Sequence, residues 1–396
     1  MNYGVVAEFN PFHNGHKYLI DTLKSDGVST VTAVMSESFV QRGECAFFDV
    51  NARVKAAISC GVDLVLSLPV NCAVASAEKF AFGGISTLNA LGVIDTVAFG
   101  SECGNAALLK KVAEIITTDE FSATLENRLC EGLSFPTARQ RALADMYGAD
   151  FAEVLRSPND ILGVEYIKAL NALNSPCGVL AVKRVGASHD GAEASGDICS
   201  ASLIRTMGFE NAEHYVPECC RGIYAAEYSL NRAPASMKKL DTAVLAKLRT
   251  MSAEDFKQLP DVTEGLEHRI FAAVREARNV DEVLEKVKTK RYTHSRLRRI
   301  LLCAFLGIDK AVSDIAPPYV RVLGFNENGE MLLRSAKGKA ALPVVAKSSQ
   351  VSALGGDAEK IFALECTARD MFSLALPVPE VCGREMTDKL VVIKNS

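Results

Sequence analysis

At 396 residues the chain is too long for one compact core of typical size, so two or three domains are the prior, and 48% hydrophobic content excludes a disordered protein. The net charge of -4 is unevenly spread: residues 231–300 hold 16 Lys+Arg against 10 Asp+Glu, a basic excess that suits a polyanionic partner for the C-terminal half. No apolar run approaches a membrane span, so no membrane partner is expected.

The 12 cysteines never form CxxC, and most sit in apolar stretches such as Ala56–Cys60, which reads as a set of reduced core residues in a cytosolic protein. Clustered Cys/His spacing for zinc is missing, so no metal ligands are expected, and the adjacent Cys219–Cys220 pair reads as incidental. The first strand carries no basic segment before it and reaches Glu8 after a few apolar residues, so no secretory signal is expected.

In chain order, Gly4 to Phe9 reads as a short buried strand that runs into Asn10-Pro11-Phe12-His13-Asn14-Gly15-His16 and then a helix from Lys17. Thr30 to Met35 is a second buried strand, followed by a polar loop from Ser36 to Glu44. Asn51 to Cys60 has helical spacing, Val62 to Pro69 returns as a strand, Ser76 to Leu91 is a helix, and Thr96 to Phe99 is a strand opening into Gly100. From Asn105 to Leu173 the pattern is helical, broken at Ser134-Phe135-Pro136 and at Ser157-Pro158-Asn159-Asp160, before a last apolar strand over Val179 to Val185. This alternation predicts an α/β fold, a Rossmann-like doubly wound parallel sheet over residues 1–230. A helix-rich basic region over 231–310 follows, then a small C-terminal module over 311–396 in which Tyr319–Phe325, Asn326–Gly329 and Met331–Leu333 read as a β-hairpin.

The chemistry concentrates after the first strand. His13 and His16 stand about one helical turn apart, so both rings can face one ligand. Gly15 leaves room beside the backbone, and the N-terminus of the following helix attracts phosphate, which together describe a triphosphate site at the carboxyl end of a strand. Near a second predicted helix start, Ser200, Ser202 and Arg205 supply two hydroxyls and a guanidinium, a further anion-binding device. On local sequence alone Ser200 is equally an ordinary N-cap and Arg205 a solvated helix residue.

The Asn10–His16 segment and the Ser200–Arg205 segment together resemble the HxGH nucleotidyltransferase superfamily. More narrowly the chain resembles the bacterial tRNA(Met) cytidine acetate ligases, through Ala7–His16, Phe39–Glu44, Gly61–Val65, Phe99–Glu102, Pro158–Gly163, Glu264–Ile270 and Lys288–Thr293, all in family order. Phe9 stands where a tyrosine is usual, and Asp160 where a second Asn is common. The resemblance implies a ligation in two steps. Acetate attacks the α-phosphate of ATP to give acetyl-adenylate and pyrophosphate, and the N4 amine of the wobble cytidine of elongator tRNA(Met) then takes the acetyl group to form N4-acetylcytidine. It implies catalytic roles for His13 and His16, ATP as co-substrate with Mg2+ carried by its phosphates, and acetate and tRNA as partners in the cytoplasm. It also implies an ATP site over Val6, Ala7, Glu8, Phe9, Asn10, Pro11, Phe12, His13, Asn14, Gly15, His16, Lys17, Tyr18 and Leu19, with Gly100, Asn159, Arg184 and Val185.

The run from Lys288 to Arg299 holds six Lys/Arg and no acid, interleaved with Tyr292 and His294. Cations with flat rings between them suit phosphate contact and base stacking, so Lys288, Lys290, Arg291, Tyr292, Arg296, Arg298 and Arg299 are expected to bind RNA. A solvated helix face is the plain alternative for such a run. Two other functions use the same motifs: an adenylyl- or cytidylyltransferase acting on a small phosphorylated metabolite, and a non-catalytic nucleotide-sensing RNA-binding protein.

Overall fold

Ten strands follow one another in the described chain: β1 (Asn2–Ala7), β2 (Thr30–Ser36), the short β3 (Phe39–Val40) and β4 (Glu44–Cys45), β5 (Leu64–Leu68), β6 (Thr96–Ser101), β7 (Gly178–Lys183), β8 (Val320–Phe325), β9 (Val344–Val345) and β10 (Val391–Val392). The structure is a computed structural model, and it describes residues 1–25, 27, 30–185, 196–263, 265–289 and 292–394, with Glu210 by its backbone alone. One sheet runs in the order β10-β8-β5-β2-β1-β6-β7, with β9 beside β8. β5, β2, β1, β6 and β7 are mutually parallel, as doubly wound topology requires.

Alternation along each strand loads both faces of the sheet. Val31, Ala33, Met35 and Val65 pack on one side with Val54 and Ala57 of the helix Val50–Ser59 and with Ile20 and Leu23 of the helix Asn14–Lys24. Val34, Leu64, Leu66, Val97 and Phe99 pack on the other, against the helices Ala77–Ala90 and Pro158–Ala172. The helix Ala77–Ala90 lies close because Gly84 has no side chain: a Cβ there would fall 2.7 Å from Val6.

Because β2 and β5 lie on one side of β1 and β6 lies on the other, the strand order reverses between β1 and β6. A crevice therefore opens at the carboxyl ends of these two strands, the usual ligand position in such sheets. Buried Arg53 holds its rim, donating to the carbonyls of Glu8 and Ser36 at 2.8 Å each, to that of Phe48 at 3.1 Å, and to that of Glu37.

Residues 237–306 fold as helices around Phe256, Leu266, Ile270, Leu297 and Leu301, and this core also takes in Phe39 and Val40 of the β3–β4 hairpin and Phe372 of the helix Gly356–Ser373. The C-terminal segment departs from the sequence expectation. No hairpin forms after Phe325; Asn326 instead caps the helix Glu327–Ala336, its Oδ1 accepting the Gly329 N–H at 3.0 Å. Nor is 311–396 a module apart, since β8 joins the main sheet antiparallel to β5 and brings β9 and β10 with it. The two expected breaks at Pro136 and Pro158 are helix beginnings, each proline sitting in the first turn, where its missing N–H costs nothing. No helix among the described residues is long and apolar enough to cross a membrane.

Candidate active site

The crevice is a cavity of about 700 Å³. Its floor is the end of β1, from which Phe9, at φ 44°, turns the chain into the motif loop. His13 is the N-cap of the helix Asn14–Lys24, and the two histidines form a reciprocal cap. His13 Nδ1 accepts the Gly15 N–H at 3.0 Å, and His16 Nδ1 accepts the His13 N–H at 3.3 Å. The rings lie 3.8 Å apart between centroids.

This capping sets their chemistry. Each Nδ1 is an acceptor, so the ring proton of each neutral imidazole sits on Nε2. Both rings are neutral at pH 7: burial, with Arg184 and then Arg205 adding to it, pushes His13 down to about 3. Burial, then His13 and Arg184, holds His16 well below the usual imidazole range. The site thus offers two neutral N–H donors beside two guanidiniums, rather than two imidazolium charges. Gly15 serves the ring as much as any ligand, since a Cβ there would come 2.9 Å from His13 Cε1.

Most of the expected ATP residues line this one cavity: Val6 to Asn10, His13, Gly15, His16, Tyr18, Leu19, Gly100, Asn159, Arg184, Val185, Ser200, Ser202 and Arg205. Four do not. Pro11 and Phe12 are buried, and the Phe12 N–H donates to the Tyr224 hydroxyl at 3.0 Å. Asn14 donates to the carbonyls of Asp197 and His214, and Lys17 pairs with Asp21. Pro11, Phe12 and Asn14 fix the loop through burial and these bonds, whereas the Lys17–Asp21 pair lies on the surface of the helix that follows.

Ser200 caps the helix Ala201–Met207, its Oγ accepting the Leu203 N–H at 3.2 Å, so the plain reading of this hydroxyl holds beside its place on the wall. Arg205 is no solvated residue: it donates to the Asn10 carbonyl at 2.8 Å and faces Glu44 at 3.4 Å. Asn159 donates to Glu102, and Arg184 lies 3.9 Å from the same carboxylate. Asp160 accepts the Cys103 N–H at 3.0 Å and the Ser101 O–H, and so secures the end of β6.

Sequence reasoning missed Gln41, Arg42 and Glu44, which line the cavity from the β3–β4 hairpin. The signal was a polar loop directly after β2, at the same carboxyl edge. Gln41 donates its N–H to Glu8 at 2.7 Å; burial raises the Glu8 carboxyl while this bond and Arg205, Arg42 and Arg53 oppose it.

Of the four cations of the basic run among the described residues, three are engaged within the protein. Arg296 donates to the Asp261 carbonyl at 2.6 Å and stacks over Tyr292 at 5.0 Å, while Arg299, nearly buried, pairs with Asp261 at 3.2 Å. Arg298 donates to Glu44 at 2.7 Å, and Lys288 is exposed. Lys290 and Arg291 lie outside the described residues.

The HIGH nucleotidyl transferase family model matches residues 1–387. The chain is 36% identical to the tRNA(Met) cytidine acetate ligase of Thermoanaerobacter sp. (strain X514), over 98% of each chain. It is 34% identical to the protein of the same name from Acetivibrio thermocellus, over 98% of this chain and 99% of that one. Among solved structures, Thermotoga maritima TmcAL superposes over 100% of both chains at 33% identity, with a TM-score of 0.93 in its apo form and 0.91 bound with alpha-thio ATP.

Proposed function

Since the chain belongs to the tRNA(Met) cytidine acetate ligases of the HIGH nucleotidyl transferase family, we propose a mechanism in which the cavity beneath His13 and His16 activates acetate and hands it to RNA. The enzyme is an ATP-dependent ligase that uses acetate to modify the cytidine of tRNA(Met). Acetate is already an anion, so the first step needs no side-chain nucleophile. Its oxygen attacks the α-phosphorus of ATP, pyrophosphate leaves, and acetyl-adenylate forms. The Nε2–H groups of His13 and His16 meet the oxygens on which charge grows, and Arg184 and Arg205 balance the departing pyrophosphate. Neutral donors suit this task, because a fixed dipole in a desolvated site stabilises developing charge without a proton having to move.

Magnesium carried in by ATP would add charge neutralisation at the phosphates. The cavity's carboxylates are already engaged: Glu44 faces two arginines, and Glu8 holds the Gln41 N–H, so neither forms a ready metal cage. In the second step the N4 amine of the wobble cytidine of elongator tRNA(Met) attacks the acetyl carbonyl and AMP leaves. Glu8, raised by burial and facing the cavity, is placed to take the proton that the amine releases.

The observation that carries this reading is the convergence of both histidines, Arg184 and Arg205 on one cavity whose rim residue Glu44 reaches the basic helix His294–Leu306. We assign residues 1–230 to ATP chemistry and 231–310 to RNA, with Lys288, Lys290, Arg291, Tyr292 and Arg298 as contacts. Arg296 and Arg299 act by shaping that surface.

Incubation with ATP, acetate and unmodified tRNA(Met), followed by nucleoside mass spectrometry, tests the proposal. One acetylcytidine per tRNA is expected, dependent on acetate. Nucleotide transfer to a small phosphorylated metabolite, with no acetylated nucleoside, would overturn it.

A further inference from the structure

Apart from the residues that line the cavity, three thiols converge. Cys60 closes the helix Val50–Ser59, and Cys219 and Cys220 stand in the first turn of the helix Glu218–Ser229. Cys60 Sγ lies 2.8 Å from Cys219 Sγ and 3.2 Å from Cys220 Sγ, with all three sulfurs within 4.8 Å of one another. Cys60 and Cys220 are buried, whereas Cys219 is exposed. A reagent from solvent therefore meets one sulfur first, with a second in contact behind it.

We propose that Cys219 is a site of oxidation by peroxides and that Cys60 resolves it, closing a disulfide between the two helices. An exposed thiol with a resolving thiol in contact is the arrangement such chemistry needs. The thiol of Cys219 is also held down at about 6, chiefly by its hydrogen bond with Cys220 and further by Cys60 and Lys17, against the opposing effect of burial. Its lowering favours the thiolate, and a thiolate is the nucleophile.

The same three sulfurs invite comparison with a metal site. Sulfur ligands around a tetrahedral ion stand about 3.7 Å apart when each metal–sulfur bond is about 2.3 Å. The two short separations here are smaller than that, so a metal would have to push the thiols apart, whereas a disulfide draws one pair together.

Cys219 thiolate attacks the terminal oxygen of a hydroperoxide, the O–O bond breaks, the departing alkoxide or hydroxide takes a proton, and a sulfenic acid remains. Cys60 then attacks the Cys219 sulfur, the S–O bond breaks, and the hydroxide leaves as water with the Cys60 proton. Two sulfurs lose one electron each, and the peroxide gains both. Tyr224, one turn beyond Cys220, accepts the Phe12 N–H, so the new link lies beside the loop that carries both histidines.

The test treats the reduced full-length protein with a small excess of hydrogen peroxide, blocks remaining thiols, and maps unreduced peptides by mass spectrometry. A Cys60–Cys219 linked peptide is expected, forming about tenfold faster than oxidation of Cys130 and Cys382, which are also exposed. In C60S the sulfenic acid at Cys219 persists and is trapped by dimedone; C219S forms neither product and keeps adenylate formation. The wild-type linkage is informative even if C60S fails to fold. Oxidation of Cys219 no faster than of Cys130 and Cys382 would overturn the proposal. So would zinc bound by the three thiols in the isolated protein, leaving them inert to peroxide.

Discussion

Arg298 donates to Glu44 Oε1 at 2.7 Å, and the other oxygen of that carboxylate lies 3.4 Å from Arg205 on the wall of the cavity. A basic helix and an arginine of the cavity wall thus share one counter-charge, Glu44, which stands 254 residues before Arg298 in the chain. Arg298→Glu places a second carboxylate beside Glu44 and leaves Arg205 facing excess negative charge. Both tRNA affinity and ATP–pyrophosphate exchange are expected to fall about tenfold, and Arg298→Ala to affect exchange much less. Full exchange activity in the Glu variant would show that the two sites are electrostatically separate.

His16→Ala and His13→Ala each remove an Nε2–H donor, and adenylate formation is expected to fall by about 10²–10³. Binding of tRNA should be largely unchanged; equal loss of both would mark the histidines as purely structural. His16→Gln, whose amide can present an N–H in the same direction, should recover part of the rate.

Gly15→Ala tests how closely the His13 ring is held. A Cβ 2.9 Å from Cε1 must displace the ring, so the adenylation rate should drop while the thermal midpoint moves little. Wild-type rates in this variant would mean that ring position is not limiting.

The depressed histidines also set a pH dependence of stability. Unfolded histidine titrates near 6.5, while folded His13 titrates at about 3, so below 6.5 the unfolded chain binds a proton that the folded chain refuses. Stability therefore falls as pH drops from about 6.5 toward 3. Linkage gives a loss of about 1.4 kcal/mol at pH 5.5 for His13, and His16 acts in the same direction. Urea titrations of wild type and His13→Asn at pH 7.5 and 5.5 should differ in their pH dependence by that amount; identical dependence would refute the buried neutral state.

Arg299→Ala should behave as a stability variant. It leaves Asp261 without its ion-pair partner and is expected to cost about 1–3 kcal/mol, with the salt dependence of tRNA binding unchanged. Lys288→Glu, on an exposed residue, should lower that salt slope by about one without a stability loss. The reverse pattern would exchange the two assignments.

Much of this site was legible in advance because its determinants are local. The strand, the His-x-Gly-His spacing and the Ser200 cap each involve residues within a few positions of one another, where backbone geometry alone decides what can face what. The protonation of the histidines was not legible, because it depends first on their burial in the folded crevice and then on Arg184, with Arg205 beside His13, arriving from far along the chain. The surroundings of the basic run were hidden for the same reason: Arg296 and Arg299 have their partner at Asp261, and Arg298 at Glu44.

By itself the sequence determined the alternating strands and helices, their parallel order, and the family to which the motifs belong. It did so because hydrophobic period, caps and glycines act over single turns. Only the tertiary structure decided that Asn326 begins a helix instead of a hairpin turn, since Asp63 accepts the side-chain amides of Asn326 and Asn328 at 3.0 and 3.3 Å from 263 and 265 residues away. It likewise brought Cys60 to Cys219 and Glu44 to both arginines. Such pairs form when distant segments close on a shared core, and no short-range pattern in the chain encodes that closure.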